Sequence, residues 1–242
     1  MKTRADLLLV ERGLFPSRAK AREAIETGLV TVNGTQIKKP SDMLAHDAQI
    51  DAQKPYPWVS RGGLKLEGGL DHFNIDVRDR VCLDVGASTG GFTDVLLSRS
   101  ATKIFAVDVG QGQLHTKLRA DHRVVSLEQT DARILDTSLI PEAPSLVVCD
   151  ASFISLKLVL PKALELAAPN AFLVALIKPQ FEAGREAVRE GKGVVRDEAI
   201  HQAVCDDLAK WLAATGWSVL GITPSPIEGG DGNREFLIGA QK

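Results

Sequence analysis

The chain has 242 residues, 44% hydrophobic and 25% charged, which leaves room for one large domain or for a large and a small one, and excludes the collagen-like, disulfide-scaffold and disordered classes. Its formal charge of -2 divides unevenly: residues 1–65 hold eleven basic and seven acidic residues, a net +4, whereas the remainder holds eighteen and twenty-four, a net -6. A basic head on an acidic body hints at a polyanionic partner.

Residues 3–12 read as a helix, ended by Gly13 and Pro16. Ser17 is placed to cap a second helix, Arg18 to Thr27, whose cations Arg18, Lys20 and Arg22 gather in its first turns. Cations there oppose the helix dipole, which favours an external anion as their partner. Gly28 stops the helix, Leu29–Val32 reads as a strand, and Asn33-Gly34 is a strong hairpin signal before a return strand from Thr35, followed by Lys38 and Lys39. Lys54–Trp58, rich in proline, reads as a linker between a head of residues 1–59 and a body of residues 60–242.

The body alternates strand and helix. Buried-strand runs are expected at Val81–Val85, Ile104–Val107, Val124–Leu127, Leu146–Cys149 and Phe172–Ile177, a rhythm that argues for an α/β fold with a mostly parallel sheet. Two last strands, Trp217–Thr223 and Glu235–Gly239, have no helix between them and can pair antiparallel at one edge. Cys82, Cys149 and Cys205 lie in apolar runs without C-x-x-C spacing, as reduced cytosolic thiols do. The apolar run Leu7–Val10 is too short for a signal-peptide core and no window approaches a membrane span, so the expectation is a cytoplasmic protein without membrane association.

The first body strand runs into Asp84-Val85-Gly86-Ala87-Ser88-Thr89-Gly90-Gly91-Phe92, a glycine turn that lets backbone approach a ligand at the carboxyl end of a sheet. Ser88 breaks the dinucleotide fingerprint, and no Lys-Ser/Thr follows to make a P-loop. Asp108, followed by Val109, closes the second strand, where a carboxylate can take both hydroxyls of a ribose. Asp131, followed by Ala132, comes after the third and can accept from an adenine amine. An amino-acid site, a ribose site and a base site on successive strands describe S-adenosyl-L-methionine. At the fourth strand, Cys149-Asp150-Ala151-Ser152 lacks the Asn/Asp-Pro-Pro-aromatic cradle of amine methylation, and Cys149 should point away from Asp150. Lys178 ends an otherwise apolar strand, a costly place for a cation that nothing uses.

Lys65 in Ser60–Leu66, Asp150, Lys178 in Ile177–Phe181 and Glu235 in Gly232–Phe236 have the order and context of the lysine-aspartate-lysine-glutamate tetrad of FtsJ-like ribose 2′-O-methyltransferases. The whole chain resembles the TlyA family of bacterial rRNA methyltransferases, sometimes labelled haemolysins. Its head, about residues 3–50, resembles the RNA-binding module shared by a small-subunit ribosomal protein, pseudouridine synthases and tyrosyl-tRNA synthetases. The resemblance implies a Rossmann-like body using S-adenosyl-L-methionine, no metal, and rRNA in ribosomal subunits as partner, with a cytidine of large-subunit rRNA as the acceptor and small-subunit rRNA as a second substrate. Lys178 would hold and deprotonate or polarise the 2′-hydroxyl, with Lys65, Asp150 and Glu235 around it. Candidate RNA contacts are Arg4, Arg18, Lys20, Arg22, Lys38, Lys39 and Arg61, with Phe15, Tyr56 and Trp58 the aromatics nearest this surface. A monomer is the expectation. Two other readings compete with this one: a non-catalytic RNA-binding assembly factor, and a membrane-active haemolysin, which would need a long exposed apolar or amphipathic segment.

Overall fold

The computed structural model describes residues 2–184, 193–229 and 232–242. The chain divides into two compact units, Met1–Pro57 and Trp58–Lys242. Trp58 starts the second unit because its indole packs against Gly63, where a β-carbon would come within 2.4 Å of it, and the Val59 amide donates to Asp94 at 2.8 Å. Cut there, the first unit holds nine basic and seven acidic residues, since Arg61 and Lys65 belong to the second.

The first unit opens with β1 (Lys2–Arg4), not with helix: Thr3 pairs with Leu44 of β4 (Met43–Ala45), so α1 (Ala5–Glu11) begins two residues later than the sequence suggests. In α2 (Arg18–Glu26), Ser17 caps as expected by accepting from the Lys20 amide. The hairpin of β2 (Val30–Val32) and β3 (Thr35–Gln36) turns through Asn33 and Gly34, both at positive φ, and β5 (Ile50–Ala52) pairs on the other side of β2. Leu8, Leu9, Phe15, Ala24, Ile25, Val30 and Leu44 form the core. Phe15 is therefore a core residue and offers no stacking surface.

The second unit begins with α3 (Gly62–His72) and then alternates: β6 (Val81–Val85), α4 (Gly91–Ser98), β7 (Lys103–Val107), α5 (Thr116–Arg119), β8 (Val124–Leu127), β9 (Leu146–Cys149), α6 (Leu156–Val159), α7 (Pro161–Leu166), β10 (Phe172–Ile177), α8 (Pro179–Glu182), α9 (Glu198–Ala214), β11 (Ser218–Pro224) and β12 (Phe236–Gln241). One seven-stranded sheet runs β11-β12-β10-β9-β6-β7-β8, and β6 to β10 are parallel. The two last strands pair antiparallel as expected, but β12 lies inside the sheet between β10 and β11, and only β11 is an edge.

Both faces of the sheet are covered, so its parallel strands are mostly apolar, with Asp84 and Ser126 as polar exceptions inside them, and their period-two alternation splits one run between two cores. Leu83, Val147, Cys149, Leu173 and Ala175 pack with residues of α6, α7 and α9, while Cys82, Leu146, Val148, Val174 and Leu176 pack with residues of α3 and α4. The three cysteines are free and buried, and burial pushes the Cys149 thiol up to about 12. Such a thiol is no nucleophile at neutral pH. No helix among the described residues is long and apolar enough to cross a membrane.

Candidate active site

At the carboxyl ends of the parallel strands lies a cavity of about 470 Å³, a size suited to a nucleoside-bearing ligand. Gly86 makes it possible. At φ 81° it is in the left-handed region, and a β-carbon there would sit 2.9 Å from the Asp150 carbonyl and 3.0 Å from the Ala151 backbone, which has no room to yield. The Gly86 and Ala87 amides donate to the Val107 carbonyl, closing the turn.

Of the predicted cofactor residues, Gly86, Ser88, Asp108, Val109, Asp131, Ala132 and Asp150 line this cavity, joined by Gln113, Arg133, Ser152 and Phe153. Asp84, Ala87, Thr89, Gly90, Gly91 and Phe92 are not in the lining. Asp84 shares its sheet face with Cys82, under α4, where its carboxylate accepts from Thr93 Oγ1 at 2.6 Å. Ala87 and Phe92 fill cores, Gly90 abuts Leu114 and Leu118, and Gly91 abuts Ser60, so this part of the motif packs the turn from behind. Asp108 accepts from the Ser88 amide at 2.8 Å and the Gly110 amide at 2.7 Å, one on each oxygen, leaving each a second lone pair. Asp131 is engaged by the amide and guanidinium of Arg133, which hold it below the usual carboxylate range, so it is not the free acceptor the sequence suggested.

Asp84 is 0% exposed, its Oδ1 has no hydrogen-bond partner, and burial aided by the charges of Asp150 and Asp108 pushes it up to about 7. Asp108 and Asp150 in the lining, with Asp84 buried behind the turn, make this end of the sheet electronegative, which fits a ligand that carries positive charge, as S-adenosylmethionine does. With the folded value above the unfolded one, near 3.9, Asp84 favours the folded state at low pH and loses that contribution as pH rises toward 7. Asp84→Asn should remove this slope, worth a few kcal/mol. Thermal unfolding from pH 4.5 to 8 checks it, and parallel curves for the two proteins would refute the assignment.

Two buried ion pairs stand beside the cavity. Lys178 Nζ lies 2.6 Å from Asp150 Oδ1 and donates to Ser152 Oγ at 2.8 Å. Lys65 Nζ, on α3, donates to Glu235 Oε2 at 2.6 Å. Lys65 and Lys178 are each 7% exposed and Glu235 3%, so removing the partner of any of these three strands a charge in a poor solvent for it, whereas Asp150 keeps some access to water. The pairs are neighbours. A β-carbon on Gly62, at the start of α3, would lie 3.7 Å from Asp150 Oδ2, and Lys178 and Glu235 directly adjoin Ile177 and Phe236, the last residues paired between β10 and β12. Glu235 itself precedes β12 instead of starting it. Gly229 seats its carboxylate, since a β-carbon there would meet Oε1 at 2.1 Å.

Sequence reasoning missed Phe153, a cavity-lining residue that is 90% exposed, at φ 65°, with its ring 5.0 Å from that of Phe181. It also missed Glu128, which accepts from the Gln113 and Leu114 amides and fixes the loop that carries Gln113.

In the first unit, the cations answer internal carboxylates and not only an external anion. Arg4 and Arg18 both pair with the buried Asp6, which they hold down to about 2, Lys20 bonds Tyr56 and pairs with Glu23, and Arg22 lies 3.9 Å from Glu26. Tyr56 is buried and donates to Glu23, so it is no open stacking platform. Lys38 and Lys39 are exposed, as is Arg61 in the second unit.

Residues 58–242 match the FtsJ-like methyltransferase family, and residues 3–50 match the S4 domain. Over 98% of its length the chain is 45% identical to the 16S/23S rRNA (cytidine-2′-O)-methyltransferase TlyA of Mycobacterium tuberculosis, covering 89% of that protein. It is 36% identical to the 23S rRNA (cytidine-2′-O)-methyltransferase TlyA of Campylobacter jejuni, over 94% of this chain and 95% of that one. Among solved structures, the "putative hemolysin" of Streptococcus thermophilus matches with a TM-score of 0.78 at 43% identity, covering 100% of this chain and 88% of that one.

Proposed function

The chain belongs to the FtsJ-like methyltransferase family with an S4 domain ahead of it, and from that premise we propose that it transfers a methyl group from S-adenosylmethionine to a ribose 2′-hydroxyl of ribosomal RNA. The observation that carries this reading is that Asp150 both lines the cavity and pairs with Lys178, which sets a buried cation where cofactor and acceptor would meet. Cytidine is the proposed acceptor because the M. tuberculosis and C. jejuni relatives are both named for it. The large subunit is the proposed principal substrate because both names include 23S rRNA, and 16S rRNA is the second because one name adds it.

S-adenosylmethionine supplies, when bound, a methyl group activated by its sulfonium. Gly86, Ser88, Asp108 and Ala132 would hold it in the cavity, with Asp108 offering its remaining lone pairs to ribose hydroxyls. Lys178 donates to Ser152 and is ion-paired with Asp150, so its ammonium keeps a donor for the acceptor 2′-oxygen. A fixed cation there stabilises negative charge as it develops on that oxygen, which a solvent-exposed lysine would do far less well. Glu235 fixes Lys65, and this second pair adds to the field at the same end of the sheet. Phe153 offers an open ring face on which an unstacked base can lie.

Incubating the protein with methyl-labelled S-adenosylmethionine and ribosomal subunits, then resolving the rRNA nucleosides by mass, should yield 2′-O-methylcytidine. Label on a base, or no label in rRNA, would sink the reading.

A further inference from the structure

The acceptor side of the site is made by two segments far apart in sequence, Asp150–Leu156 after β9 and Lys178–Glu182 after β10. The first is poorly equipped to hold itself. It has no regular structure before α6, which is only four residues long, and Phe153 sits in a backbone conformation that residues bearing a β-carbon rarely adopt. Three contacts tie it to the second segment: Lys178 on Asp150 and Ser152, Phe181 against Phe153, and Glu182 on Ser155 and Leu156.

We propose that Glu182 is a positioning residue for methyl transfer, its carboxylate latching the Asp150–Leu156 loop to α8 and so setting where Ser152 and Phe153 stand beside Lys178. The inference rests on the methyl-transfer reading above. Its geometry is complete: Oε2 accepts from the Ser155 hydroxyl at 2.6 Å and Oε1 from the Leu156 amide at 2.7 Å, so each oxygen answers one donor of the loop. Burial raises the Glu182 carboxyl while these two donors, with Lys157, lower it and Asp207 raises it further. A carboxylate placed under such burial with both oxygens on one loop is doing more than solvating a surface. It sits four residues after Lys178, so the element that carries the cation also carries the latch for the cation's partners.

Glu182→Ala is expected to lower kcat by about 30-fold through misplacement of Ser152 and Phe153, and to change cofactor Kd by less than about twofold. Amide exchange at Leu156 should quicken. Glu182→Gln should return kcat to within about threefold of the wild type, because its amide oxygen can accept from Leu156 while its NH₂ donates to Ser155 Oγ. Wild-type kcat in Glu182→Ala overturns the proposal, as does a loss of cofactor affinity equal to the loss of kcat, or a Gln variant as impaired as the Ala variant. Where Glu182→Ala does not fold, Ser155→Ala, which removes the Oε2 bond together with the α6 cap on the Lys157 amide, should lower kcat in the folded protein; unchanged kcat there also overturns it. A wild-type protein that methylates no rRNA counts against the functional reading instead, and Leu156 exchange in the Gln and Ala variants then tests the latch without activity.

Discussion

Lys178→Ala is expected to lower methyl transfer to ribosomal subunits by about 10³-fold while cofactor affinity stays within about threefold. The two effects separate because Lys178 does not line the cavity, whereas its partner Asp150 does. Loss of the ammonium removes the donor at the acceptor oxygen and frees Ser152 and Asp150 from the geometry it imposes. Asp150 is left without its cation, but it retains access to solvent, so the variant should fold, and Lys178→Met, which keeps the apolar stem, provides a second folded protein. Single-turnover transfer alongside calorimetric cofactor binding measures both quantities. Retained transfer in either variant would eliminate Lys178 from the chemistry, and the non-catalytic assembly-factor reading would gain if cells carrying it showed no defect.

Removing residues 1–57 should weaken binding to ribosomal RNA by about 10²-fold or more at moderate salt and flatten its salt dependence, with cofactor affinity unaltered. The cut falls after Pro57 because Trp58 and Val59 are anchored in the second unit, and the first unit has a core of its own. Lys38 and Lys39 are the cations of that unit most ready for phosphate. Arg4 and Arg18 are half exposed themselves but share the buried Asp6, so giving one of them to phosphate leaves the other to balance that carboxylate. Filter binding over a range of salt concentrations is the check. A truncated protein with the same affinity and the same salt slope would place RNA recognition in the second unit.

The parallel strands could be read from the sequence because burial on both faces keeps them mostly apolar: Val81–Val85, Val124–Leu127, Leu146–Cys149 and Phe172–Ile177 have the observed bounds. The small strands β1, β4 and β5 escaped because three residues carry too little alternation to register, and in β4 only Leu44 is buried. The glycine motif gave the place of the cavity but not its lining, since which side Asp84 faces depends on a strand phase that a continuous apolar run hides. The pairing of Lys65 with Glu235 spans 170 positions, and the family resemblance placed both residues in one tetrad without saying which carboxylate each lysine meets. Phe153 left no trace at all, because one aromatic among loop residues becomes notable only once its exposure and its place in the cavity lining are seen.

The place of β12 bears on when such a site can first exist. β12 follows every other strand of the sheet in sequence, yet it inserts beside β10 and delivers Glu235 to the side of Lys178. During synthesis the chain therefore emerges with Lys65, Asp150 and Lys178 already made and one flank of β10 unpaired. Until the final strand docks, Lys65 lacks its carboxylate and the cations stand unbalanced at the rim of an open sheet. A prematurely terminated chain would thus be able to fold its first unit while leaving the site of the second incomplete.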